Sequence, residues 1–376
     1  MPFARAACVL VLGSLLSSQT FLVDINNGPG THYTTIAAAV AAVPNGAVLY
    51  VRPGTYGGFA INKTVRILGD FGVALTPGAN VTISGLAANQ TVVLRHVRAS
   101  GGGVWSFSNC VGPIFVDRCY QSPQQVQRLG VANCQQVAVR NYGLGASPGN
   151  GMFEVTLTNS NVVFEACQIG RGNPTSVTTV NAGITQTGGT LQLVDCEVRG
   201  GANPYPNATA GIAVTNGQLR LLGVTTVNGG TNQGRAIVGT GGLRYEPSVV
   251  FSGGLPDVPP AMLPTMRTMP RLTTVPNLSG DQYFARLYGP AGHLAAIALA
   301  LPGPVVQLPG FDDAVWLDPV TVGGLVAAVL TTAPFVWHIQ TPAGVPLLGV
   351  RATWQGVTYD PVEGFQLSNP SFTILP

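Results

Sequence analysis

The sequence predicts an all-β protein: a right-handed parallel β-helix with an N-terminal capping helix, followed by a small C-terminal antiparallel β-sandwich. Three observations point there. A short apolar pattern recurs at the period of a solenoid. Turn-forming Asn and Gly stand at a fixed offset within each repeat. The composition, with 49 Gly, 29 Pro and 9% charged residues among 376, suits many short strands joined by turns. A hydrophobic content of 46% supplies ample core.

In chain order, residues 1–18 read as a secretory signal peptide. Arg5 precedes an apolar run from Ala6 to Leu16, and Ser17-Ser18 offer small residues for cleavage. The run is too short to span a bilayer, and no later segment reads as a transmembrane helix. The expected location is therefore secreted, extracellular or at the cell surface. Residues 19–250 are assigned to the β-helix with its cap. Within them, Tyr33 to Val43 has helical spacing and a Thr cap, and Pro44-Asn45-Gly46 ends it.

The repeat has the form apolar, any, apolar, any, any, apolar. It occurs as Val92-Leu94-Val97, Ile114-Val116-Cys119, Val137-Val139-Tyr142, Val162-Phe164-Cys167, Leu191-Leu193-Cys196 and Leu219-Leu221-Val224, with starts 22 to 29 residues apart. A second strand precedes each unit, with inward pairs Trp105/Phe107, Leu129/Val131, Val155/Leu157, Ile184/Gln186 and Ile212/Val214. Two residues beyond each pair stand Asn109, Asn133, Asn159, Gly188 and Asn216, positions suited to a turn and to a hydrogen-bonded Asn ladder. A single coil cannot bury its apolar face, whereas coils stacked about 4.8 Å apart enclose a continuous core. Cys119, Cys167 and Cys196 are then small buried hydrophobes lining one interior column, and Trp105 and Phe107 are core rather than a sugar-stacking platform.

The order Tyr33-Thr34-Thr35-Ile36, Ala-rich helix, Pro44-Asn45-Gly46, strand, Pro53-Gly54-Thr55-Tyr56 and Val65-Arg66-Ile67-Leu68-Gly69 resembles the opening coils of pectate-lyase-like proteins, including pectin methylesterases. The resemblance implies the β-helix fold to about residue 250 and identifies no reaction, since the fold serves enzymes and non-enzymes alike. The family's enzymes would show a Gln-Asp pair, paired Asp with Gly-His-Gly, or Arg-x-Lys; none occurs on the coils.

Residues 251–280, rich in Pro, read as a linker or packed strap, and 281–376 as the β-sandwich-like module. The ending from Trp337 through Gln355 to Phe365-Gln366-Leu367-Ser368-Asn369 looks like a terminal β-module common in exported bacterial proteins.

Candidate chemistry is sparse. Arg95, Asp117, Arg140 and Glu165 follow the second apolar residue of successive units and are expected to stack outward as an exposed ladder, each pair contributing about 0.2–1 kcal/mol. As a glycosidase pair, Asp117 and Glu165 would stand about 9–10 Å apart, two strand spacings, at the wide edge of the inverting range. Arg140 between them would hold both ionised and remove the acid that such catalysis needs, so the ladder is preferred and no catalytic residue is assigned. Asp195 and Glu197 are a calcium candidate, and no other metal or cofactor is expected. The four His stand far apart, outside any triad or HExxH arrangement. Past the leader, five Cys remain; an odd number without CxxC spacing argues against a complete disulfide framework and against zinc. A net charge of +3 without a basic run gives no footprint for nucleic acid.

The later coils carry longer connections on one side, and these supply the binding candidates: Arg171, Asn173, Arg199, Asn203, Tyr205, Asn207, Asn232 and Arg235. Asn can bond to sugar hydroxyls, Tyr205 can cover an apolar sugar face, and Arg can meet carboxylates. The expected partner is a polysaccharide or cell-surface glycan. The preferred function is a non-catalytic, polysaccharide-binding or surface-structural protein. The alternatives are a polysaccharide lyase or glycoside hydrolase with a non-standard site, and an adhesin or fibre-like protein.

Overall fold

The computed structural model describes residues 19–99, 102–119, 127–142, 153–170, 182–200, 210–230, 234–253, 260–262, 264–276, 282–309, 311, 313–340, 349–362 and 364–374. The signal-peptide expectation, residues 1–18, lies outside them. The chain divides into two compact units, Ser18–Arg267 and Thr268–Pro376.

The first unit is a right-handed parallel β-solenoid of about eight turns. One sheet stacks Ala47–Val51, Val65–Gly69, Val92–Arg95, Ile114–Asp117, Val137–Arg140, Asn161–Glu165 and Thr190–Val194, each parallel to the next. The other stacks Phe59–Ile61, Val81–Ser84, Val104–Ser108, Gln127–Ala132, Phe153–Thr158 and Ile184–Thr187. Ile212–Leu222 and Ile237–Tyr245 run through the corner and extend both sheets. A short third sheet joins Gln168–Gly170, Glu197–Arg199, Thr226–Asn228 and Val250–Ser252. The apolar pairs that define the repeat all point inward and form one core, with Trp105 and Phe107 buried in it. Inward Gln186 is half satisfied there: its Nε2 donates to the Gly188, Gly189 and Gln218 carbonyls, and its buried Oε1 has no hydrogen-bond partner among the described residues.

Two corners bend each coil. Asn109, Asn133, Asn159, Gly188 and Asn216 all have φ between 46° and 66°, the left-handed region that Asn and Gly tolerate best. Asn133 donates to Asn109 across the stack at 3.1 Å. The second corner is formed by His96, Arg118, Asn141, Ala166, Asp195 and Gly223, also left-handed, with φ between 49° and 65°. One repeat position is corrected. Val224 does not complete the last apolar triplet; it is 69% exposed, and Thr225 takes the interior place beside Cys196. The cause is one extra residue at that corner: Val194 pairs with Leu222 and Glu197 with Thr226, so the three residues between Leu222 and Thr226 face only two between Val194 and Glu197. Asp195 closes the bulge by accepting the Val224 N–H at 3.0 Å.

The cap helix is short, Ile36–Ala42. Thr35 accepts the Ala38 N–H, and Ile36, Ala39 and Val40 turn toward the core. In the stretch 251–280, described residues are built into both units. Met262 is buried in the solenoid core and Thr265–Met266 pairs with Arg244 and Tyr245. Arg271–Pro276 is a strand of the second unit.

That unit is antiparallel. One sheet orders Arg271–Pro276, Gln282–Tyr288 and Phe335–Gln340. Another joins Gly324–Val329, Leu294–Ala300, Arg351–Asp360 and Gly364–Leu367, with Ser371–Ile374 also on Arg351–Asp360. Leu272, Leu287, Ile297 and Trp354 form their common core.

Candidate functional site

The two long sheets of the solenoid differ on their outward sides. On the first, alternation sends Val93, Phe115, Ala138 and Val163 away from the interior, yet all four are buried. The next outward column carries Arg95, Asp117, Arg140 and Glu165 in direct register. The expected exposed ladder is corrected here to a buried one: Asp117, Arg140 and Glu165 are 7%, 8% and 4% exposed. The physical reason is the apolar column beside them, which makes the outward side of this sheet a packed surface rather than a solvated one. Arg95 lies 3.6 Å from Asp117, Arg118 lies 4.0 Å from it, and Arg140 lies 3.9 Å from Glu165. Asn141 also donates to Asp117 at 3.2 Å. Each carboxylate thus faces a guanidinium.

The second sheet is open. Its outward positions form two columns, Thr82–Ser106–Gly130–Thr156–Thr185–Ala213–Val238 and Ser84–Ser108–Ala132–Thr158–Thr187–Thr215, each residue paired with its neighbour in unbroken register. None is buried. Every side chain is small, most are hydroxylic, and none is charged. Beyond Thr215 the register shifts, and Thr240, opposite that irregularity, donates to Asn216 at 3.3 Å. An ion pair marks one margin, where Arg128 lies 3.5 Å from Glu154. Sequence reasoning missed this face, although its signal, Ser or Thr beside the inward residues of most of the second strands, is visible once the strands are aligned.

Of the eight loop residues read as binding candidates, Arg199 and Arg235 are described. Arg171, Asn173, Asn203, Tyr205, Asn207 and Asn232 lie outside the described residues. Arg199 ends its strand exposed, in register with Asn228, and its Nε donates to Glu197 at 2.6 Å. The Arg235 carbonyl accepts the Gly211 N–H at 3.2 Å, one residue before the Ile212 strand of the open sheet begins. Both Arg therefore stand on connections bordering the later coils.

Of the calcium candidates, Asp195 caps the Val224 corner and Glu197 pairs with Arg199. Among the described residues, no cluster of three or more His, Cys, Asp or Glu is arranged to hold a metal ion, and no helix is long and apolar enough to cross a membrane. His96 sits half-buried at its corner. Burial and the neighbouring Arg95 and Arg118 hold its pKa below the usual 6.5, against a smaller opposing effect of Asp117.

No family model matches this sequence, and no curated protein matches it. Among solved structures, the chain is similar to full-length tailspike protein 2 from the Escherichia coli O157:H7 bacteriophage CAB120, at 13% identity and a TM-score of 0.28. The match covers 84% of this chain and 52% of that one, so the chain spans about half the tailspike's length. A likeness at that level says nothing of what this chain binds. The architecture stands on its own strand register: the protein is a parallel β-helix with an antiparallel C-terminal unit.

Proposed function

We propose that the protein is a non-catalytic binding or surface-structural protein of the cell exterior, and that it holds polysaccharide on the open sheet of its β-helix. The observation that carries this reading is the pair of registered hydroxyl columns. A Ser or Thr hydroxyl offers one donor and two acceptor sites, which suits the mixed demands of sugar hydroxyls. Coils repeat at about 4.8 Å, so a polymer lying along the stack meets Ser and Thr hydroxyls at a regular spacing, interrupted at the coil that carries Gly130 and Ala132. The columns are uncharged, which favours a neutral glycan. Arg199 and Arg235 border the later coils, where an acidic substituent would find a partner.

The test incubates the purified protein with a panel of neutral and acidic polysaccharides, with and without calcium, and follows both by size-exclusion chromatography. The expected result is an intact neutral polymer co-eluting with the protein. A Thr156→Lys, Thr185→Lys double variant, placing two long charged side chains on the outward side of the open sheet, is expected to fold and to lose co-elution. Shortened polymer would overturn the reading in favour of a lyase or hydrolase. Failure to retain any polymer would remove the binding role, and a stable trimer in sedimentation would then point to the fibre-like alternative.

A further inference from the structure

Four of the five described cysteines stand in two pairs on neighbouring coils. Ser108 pairs with Ala132. The register holds past the corner, where Asn133 donates to Asn109 and the Gln135 N–H donates to the Cys110 carbonyl at 2.9 Å, so Cys110 stacks on Cys134. Cys167 and Cys196 are bracketed on both sides by the pairs Glu165 with Val194 and Gln168 with Glu197. The Cys167 N–H donates to Cys196 Sγ at 3.4 Å. Cys119 is different: with Asp117 in register with Arg95 and Arg140, it lies between Val97 and Tyr142, and Tyr142 separates it from Cys167.

All five are free thiols in this structure, and all are buried. In-register Cα atoms on adjacent parallel strands lie about 4.8 Å apart, inside the roughly 4.4–6.8 Å that a disulfide spans. Contact between the thiols is already made. A hydrogen bond between Cys110 and Cys134 holds the Cys110 thiol below its ordinary pKa and raises that of Cys134. Burial first, then the Cys196 thiol, raises Cys167. Burial alone is the main cause that pushes Cys119 up to about 12.

We propose that Cys110 with Cys134 and Cys167 with Cys196 are two inter-coil disulfide sites, closed by exchange with a disulfide oxidant while the chain folds, and that Cys119 remains a thiol. In the first pair, Cys110 gives its proton to solvent and its thiolate attacks one sulfur of the oxidant. The oxidant's S–S bond breaks, and one thiolate leaves and takes up a proton. Cys134 then loses its proton and attacks the Cys110 sulfur, expelling the second thiolate, which is protonated in turn. Two protein thiols are oxidised by two electrons and one oxidant disulfide is reduced to two thiols; the second pair follows the same balance. Because each sulfur ends inside the solenoid, a soluble reductant meets the bonds only when the coils open. Two stacked pairs and one separated residue also account for all five described cysteines.

The experiment refolds the full chain in a buffer of reduced and oxidised glutathione, unfolds it in denaturant with iodoacetamide, and maps the peptides by mass spectrometry. The expected map shows Cys119 alkylated and two linked peptide pairs, Cys110 to Cys134 and Cys167 to Cys196. Alkylation of all five of these thiols, or any linkage through Cys119, would overturn the proposal. A second measurement compares the denaturant midpoints of oxidised and reduced protein. The oxidised form is expected at the higher midpoint, with the shift kept in Cys119→Ala and lost in the Cys134→Ala, Cys196→Ala double variant. An unchanged midpoint in the unsubstituted chain would show that the bonds do not fit the native coils and would equally overturn the proposal.

Discussion

The side chain of Asn369 pairs with both backbone groups of Leu272, 97 residues earlier: its Oδ1 accepts the Leu272 N–H at 2.9 Å and its Nδ2 donates to the Leu272 carbonyl at 2.8 Å. All of these atoms are buried, so the amide acts as a piece of neighbouring strand. Gln355 plays a comparable part, accepting the Trp316 N–H at 2.9 Å and donating to the Ala314 and Ser368 carbonyls. The polar ending legible in the sequence is therefore an internal clasp of the C-terminal unit. Replacing Asn369 by Leu leaves a buried donor and acceptor unpaired, at about 1–3 kcal/mol each. Denaturant unfolding is expected to show a loss of about 2–4 kcal/mol in that unit, on the same principle. An unchanged midpoint would mean that water replaces the amide without loss.

Ala166 holds φ at 52°, where a Cβ crowds its own carbonyl and costs about 1–2 kcal/mol. Glycine removes that strain but raises the entropy of the unfolded chain, so Ala166→Gly is expected to stabilise the protein by about 0.5–1 kcal/mol. The reverse change is expected to be harmful at Gly188, where φ is 66° and an added Cβ would lie 2.4 Å from Asn159 Oδ1. Thermal unfolding of the two variants should move in opposite directions.

The buried ladder should behave unlike surface pairs. Arg140→Ala leaves the Glu165 carboxylate buried without its facing guanidinium, and breaking such a pair costs about 3–5 kcal/mol. A loss below about 1 kcal/mol, the range of exposed pairs, would mean that solvent reaches the ladder. Added salt is expected to change the effect little, because buried pairs are poorly screened.

His96 makes part of the stability depend on pH. Its folded pKa lies below the unfolded value of 6.5, so between the two values the unfolded chain binds more protons. Its contribution is complete above pH 6.5 and is lost as pH falls through the lowered folded value. Asn tolerates the same left-handed corner, so His96→Asn is expected to keep the fold and flatten that part of the pH profile, read as the urea midpoint from pH 7 downward. A profile identical to the unsubstituted protein would assign the slope elsewhere.

The inward pairs and the first corner were legible because both leave marks in residue type: β-branched and aromatic residues at a spacing of two, then Asn or Gly. The second corner was not, since His96, Arg118, Asn141, Ala166, Asp195 and Gly223 share no single residue type that would mark it. Nor was the covered sheet. Charged residues at outward positions read as solvated, and only the burial of Val93, Phe115, Ala138 and Val163 beside them shows that this side of the sheet is shielded from solvent. Val224 misled for a related reason, because an apolar residue two places past the strand fits the pattern even when an inserted residue has rotated it outward.

That single inserted residue also bears on how such a chain can change over generations. The strands on either side of Val224 keep their partners while the corner absorbs the added length. Corners of this kind let a lineage gain or lose residues one at a time while the sheets go on presenting the same surface, so the open face and the corner lengths can drift independently under selection.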